Sequence, residues 1–119
     1  SEPTARAVAE ALLRSSANLL TDPKNPGGCL VVQGALACGE EADCVRRELA
    51  SRREKVQEEI RKRFEQAKKV GDLSADTDCG SLARYIATVM HGMAVLAAGR
   101  STRKELLRVV EIAMRAWPA

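Results

Sequence analysis

The sequence predicts an all-α fold: an antiparallel bundle of about four long helices plus one short helix. Three observations predict it. Apolar residues recur at three- and four-residue steps through most of the 119 residues, the period of an amphipathic helix rather than a strand. Helix-boundary chemistry punctuates those runs: Thr102 and Glu105 have capping-box spacing, Gly71 and Gly99 stand where terminating glycines stand, and Pro118 stops the last run. The one segment rich in β-branched residues, 29–38, has no second strand to pair with.

Residues 3–20 read as the first helix. Ala5, Val8, Ala9, Leu12, Leu13, Ser16 and Leu20 fall on one side, and Pro3 suits the first turn. TDPKNPGG, at 21–28, is a loop of prolines and glycines. CLVVQGALAC, at 29–38, is read as the short buried helix. A long charged helix opens at Glu40 or Glu41 and closes near Val70. Its inward stripe is Val45, Leu49, Val56, Ile60, Phe64 and Ala67, with Arg52 or Arg53 interrupting it. Its outer faces offer Glu48–Arg52, Glu58–Lys62, Glu59–Arg63 and Glu65–Lys69 at i,i+4, each worth about 0.2–0.5 kcal/mol.

Asp78 caps the next helix, whose residues 81–99 are apolar almost all the way round. Only Arg84, Thr88, His91 and the hydroxyl of Tyr85 interrupt them. A helix without a polar face must be covered on more than one side. The run is too interrupted, and too closely followed by charge, to be read as a membrane span. Leu82, Ile86, Val89, Met93 and Leu96 form a bulky stripe assigned to the chain's own core. Ala83, Ala87, Met90, Ala94 and Ala97 form a stripe of mostly small side chains that lets another helix approach closely. Arg84, Thr88, His91 and Val95 make a third, mixed stripe. In the last helix Leu106, Leu107, Val110, Ala113, Met114 and Trp117 face one way, and Val109, Ile112 and Ala116 extend the apolar surface.

Two neighbouring helices with apolar surface to spare predict a homodimer joined through the last two helices. Its expected contacts are Ala83, Ala87, Met90, Ala94, Ala97, Val109, Ile112 and Ala116, with His91 at the edge. The competing reading is a tightly wrapped monomer whose alanines are simply core.

Composition excludes several classes. A net charge of +3 is too small to argue for nucleic acid, and three aromatic residues provide no base-stacking surface. Cys29, Cys38, Cys44 and Cys79 have no zinc-ligand spacing, and one histidine with no E-x-x-H leaves no metal site. No nucleophile–base pair and no Gly-rich phosphate loop is present, so neither an enzyme nor a cofactor is expected. No leader or membrane-anchor pattern is visible, and reduced thiols in a cytoplasm are expected. Cys79 occupies a first helical turn, where the dipole lowers a thiol pKa, although a small buried residue is the plainer reading.

The order of segments then adds a resemblance. PGGCLVVQGALAC, a charged long helix, GDLSADTD, LARYIATVMHGMAVLAAG and TRKELLRVVEIAMRAWP together resemble the C-terminal regulatory domain of TetR-family transcriptional regulators. The likeness covers essentially the whole chain and is most specific at Gly28-Cys29-Leu30 with Gly34-Ala35. It implies a dimeric bacterial regulator, usually a repressor, with an N-terminal helix-turn-helix domain. It also implies a C-terminal domain that binds a small effector and dimerises through its last two long helices. The 29–38 helix would then lie near the junction of the two domains.

No helix-turn-helix pattern occurs in these residues. The expectation is therefore a single regulatory domain, 1–119, that meets DNA only through a domain outside this sequence. By the same resemblance a largely apolar effector sits inside the bundle, with Leu12, Leu13, Val56, Ile60, Phe64, Tyr85, Val89 and Met93 as candidates, against the reading that each is core. A stand-alone helical interaction module is the alternative.

Overall fold

The computed structural model describes residues 3–24 and 43–118, the side chains of 43–46 excepted. Four helices account for most of them: α1 (Ala5–Leu20), α2 (Asp43–Lys69), α3 (Cys79–Ala98) and α4 (Arg103–Arg115). No strand occurs among the described residues. The expected short helix at 29–38, with Cys29 and Cys38, and the side chains of Cys44 and Val45 lie outside them.

Local chemistry sets the boundaries. The Thr4 hydroxyl accepts the Ala7 N–H and the Asp78 carboxylate accepts the Ser81 N–H. Thr102 and Glu105 complete a reciprocal capping box. These hydrogen bonds hold the carboxyls of Asp78 and Glu105 below the usual range. Helix α2 ends in a Schellman turn: Asp72 N–H donates to Ala67 O and Gly71 N–H to Lys68 O, around a left-handed Gly71 (φ +82°). Helix α3 ends the same way, with Ser101 N–H on Leu96 O and Arg100 N–H on Ala97 O. The left-handed residue there is Arg100 (φ 71°), not Gly99.

Helix α3 is the centre of the bundle, packed against α1 on one flank and α2 on the other, while α4 leans chiefly on α1. Leu13, Phe64, Ile86, Met93, Leu106 and Val110 fill the core, and Ala5, Ala9 and Ala17 let α1 lie close. Trp117 meets Phe64 edge-on, with ring centroids 5.3 Å apart and planes at 78°. The Tyr85 hydroxyl donates to Ala113 O at 2.7 Å and ties α3 to α4.

The burial of α3 corrects the sequence reading. Ala83, Ala87 and Ala94 are 0%, 3% and 3% exposed within one chain, so a partner cannot reach them. Ala83 belongs to the core cluster shared with α1 and α2, and Ala94 lines the trough. Leu96, assigned to the core, is 48% exposed. The outward face is the mixed stripe of Arg84, Thr88 and Val95, joined by Ser81 and Gly92.

Ion pairing on α2 also differs from expectation. Glu48–Arg52 forms at 3.3 Å, but Arg61 takes both Glu58 (2.6 Å) and Glu65 (3.8 Å), and Lys62 takes Glu59 at i,i+3 (3.6 Å). Arg63 and Lys68 have other work: Arg63 donates to Pro3 O (2.7 Å) and Lys68 to Thr77 O (3.0 Å).

Candidate effector trough and outward faces

Helices α1 and α2 run side by side with little direct contact, and α3 lies behind both. They are pinned together at one end. The Ala5 N–H donates to Asp72 Oδ2 (2.7 Å), beside the Arg63–Pro3 bond. Away from that clasp the pair leaves a trough in two parts. One, of about 300 Å³, lies between Val8 and Leu12 of α1 and Val56, Glu59, Ile60, Arg63 and Phe64 of α2. The other, of about 250 Å³, is bounded by Ser16, Leu19 and Leu20 of α1, by Arg52, Arg53 and Val56 of α2, and by Met90, His91 and Ala94 of α3. Val56 belongs to both, which is why this inward-stripe valine is 43% exposed.

Of the eight pocket candidates, the structure brings Leu12, Val56, Ile60 and Phe64 to the trough. Leu13 and Met93 line neither part and are buried in the core. Tyr85 lines neither part either, and its hydroxyl is engaged by Ala113 O. Val89 packs against the core without lining either part. Sequence reasoning missed Leu19, Arg52, Arg53 and His91 as lining, while Met90, whose adaptable side chain suits a permissive pocket, does line it. A signal for two of them was present: the arginines that interrupt the α2 stripe occupy positions where a fully packed helix carries apolar side chains.

His91 lines the second part of the trough. It turns toward α2, half-buried, where burial and the neighbouring Arg53 guanidinium pull its pKa below the usual histidine value. The ring is neutral at neutral pH. Cys79 shows the opposite of an activated thiol. It is 2% exposed, and burial together with the Glu65 carboxylate pushes its pKa up, which outweighs the helix dipole. No cluster of three metal-ligating side chains occurs among the described residues.

Elsewhere, apolar surface remains uncovered. Val95 (42%) and Leu96 on α3, and Ile112 (56%) with Ala116 on α4, are exposed, and Val109 is half-buried. A Cβ built on Gly92 meets nothing within 4 Å. Helix α3 is also long and apolar enough to cross a membrane by length and composition, but here it is the helix around which the others pack.

The described residues thus form an all-α bundle with a trough between α1 and α2 and apolar helix faces left uncovered. The chain belongs to the tetracycline repressor-like (TetR) C-terminal domain family, whose sequence model matches residues 6–114. Among solved structures it is similar to a cysteine-substituted form of the TetR-family transcriptional regulator CifR in complex with a 26-bp double-strand operator DNA. There the identity is 42% and the TM-score 0.93, over 98% of this chain and 61% of that one. A second cysteine-substituted CifR bound to operator DNA is 41% identical, with a TM-score of 0.92 over the same shares. A TetR regulator from Rhodococcus sp. RHA1, named there as a family assignment, is 33% identical with a TM-score of 0.80, over 98% of this chain and 62% of that one. The chain thus spans about three-fifths of the length of each of these relatives. No curated protein matches it significantly.

Proposed function

We propose that the chain is the effector-binding and dimerisation domain of a bacterial TetR-type repressor. In the whole protein, DNA would be held by a helix-turn-helix domain outside these residues, in the cytoplasm. The observation that carries this reading is the division of labour on α3. Its alanines are buried within the chain beside the trough, and another face is open and partly apolar. One helix can then serve a ligand on one side and a second subunit on the other.

The mechanism follows from where the bundle is soft. Helices α1 and α2 are clasped near Pro3 and Asp72 and barely touch beyond it, so their separation is the coordinate a ligand changes most easily. An effector that binds one separation more tightly shifts the population toward it, and the shift is worth no more than that difference in affinity. Through the dimer, such a shift would alter the spacing of the two DNA-binding domains. The likeness over almost the whole chain to part of operator-bound CifR supports this chain's place beside a DNA-binding domain.

Sedimentation velocity of the 119-residue chain tests the reading. A dimer is expected, and Val95→Glu combined with Ile112→Glu should yield monomers of unchanged helicity. If the double variant stays dimeric, the outward faces of α3 and α4 are not the interface.

A further inference from the structure

The two parts of the trough differ in charge, and this difference selects a ligand. Beside Val8 and Leu12 the trough carries both signs, Glu59 and Arg63. Beside Leu19 and Leu20 it carries Arg52, Arg53 and His91, with no acidic side chain among the described lining residues. Farther along α2, Arg61 pairs with Glu58 and Glu65, and Lys62 with Glu59. Arg52 has Glu48, but that pair lies out in solvent, at 62% and 61% side-chain exposure. Arg53 therefore faces an apolar cleft from α2 while His91 faces it from α3, and α1 adds only Ser16, Leu19 and Leu20.

Resting on the reading of the trough as the effector site, we infer that its ligand is an amphipathic organic carboxylate. The apolar body lies along Leu19, Leu20, Val56 and Met90, and the carboxylate lies between Arg53 and His91. A guanidinium accepts a carboxylate through parallel N–H···O bonds, which are stronger than neutral ones and strengthened further where water is excluded. A cationic ligand would meet Arg53 with repulsion. A neutral apolar one would desolvate Arg53 without giving it an acceptor, at a cost. The volume of about 250 Å³ corresponds to roughly eight water volumes and suits a body of about ten heavy atoms.

Octanoate is a probe of that size, and 1-octanol is its uncharged counterpart. His91 is the single histidine of the chain, so its ring-proton NMR signal reports on this end of the trough alone. A pH titration of that signal in the 119-residue chain is expected to show octanoate raising the His91 pKa, since an anion favours imidazolium, while 1-octanol leaves it in place. Arg53→Gln should weaken octanoate at least about tenfold, the loss expected for a charged hydrogen bond, and bind 1-octanol no more weakly than wild type. Circular dichroism establishes that the variant is folded.

Equal affinity for octanoate and 1-octanol, unchanged by Arg53→Gln, would overturn the carboxylate assignment and leave the trough as an apolar effector site. Octanoate moving the His91 signal equally in wild type and Arg53→Gln would also overturn it. If neither probe moves that signal, and filling the trough with Val56→Trp changes no ligand-induced thermal shift, both the carboxylate and the trough itself are refuted as the effector site.

Discussion

The two faces of α3 invite comparison because both are built for close approach, yet they meet different partners. On the inner face Ala83, Ala87 and Ala94 are buried within the chain. On the outer face Gly92 has open space around it and Val95 is 42% exposed. Small side chains therefore announce only that a helix comes near. Which helix it is depends on what the bundle has already used, and the two faces separate only when folding and association are measured apart.

The largest effect should come from charge on the inner face. Ala87→Glu places a carboxylate with no room and no partner at a buried position, and should cost more than about 3 kcal/mol. A urea melt should find the variant unfolded or nearly so. Val95→Glu, one face away, should melt within about 0.5 kcal/mol of wild type at a concentration where both are monomeric. Equal losses in the two variants would erase the distinction between the faces.

Gly92→Ala sharpens the same contrast by splitting sign. In the monomer it should stabilise α3 by roughly 0.8–1 kcal/mol, because alanine is the better helix former and nothing stands within 4 Å of the new methyl. In the dimer the methyl should raise the dissociation constant, read by sedimentation equilibrium. Arg100→Gly addresses the end of the same helix. A left-handed arginine costs on the order of 1–2 kcal/mol relative to glycine, so this variant should raise Tm by a few degrees.

The smallest effect belongs to His91. Its folded pKa lies below the unfolded value, so the unfolded chain takes up the proton first as pH falls. Its contribution to stability is complete above about pH 6.5, the unperturbed value, and is lost as pH drops below that. Urea midpoints at pH 7.5 and 5.5 should differ less in His91→Gln than in wild type. An identical pH response would place the ring outside the cleft.

The helices and their caps were legible because they rest on neighbours in sequence: Thr102 finds Glu105 three residues on, and the 3.6-residue period is local. The family resemblance was likewise carried by segment order, and the match over residues 6–114 supports it. Which face of α3 turns inward was not legible, because alanine is equally at home in a core and at an interface. Leu13 and Met93 were placed in the pocket for a similar reason. A side chain in a core and one lining a cavity follow the same period and differ only in whether an atom stands opposite. Arg52 and Arg53 carried the better clue, as charge on a stripe that packing would have kept apolar. Gly99 ends α3 as its C-cap, and the left-handed turn falls on the next residue, Arg100.

The edge-to-face contact of Trp117 with Phe64 has an optical consequence. Trp117 is the chain's single tryptophan, and Phe64 lines the part of the trough nearer the clasp. Indole emission therefore reads occupancy at that end, as the lone imidazole resonance reads the other. A ligand that changes emission without moving the imidazole signal lies by Leu12 and Ile60, and the reverse places it by Leu19 and Arg53. The native chain thus carries two unlabelled gauges that tell which half of the trough a molecule occupies.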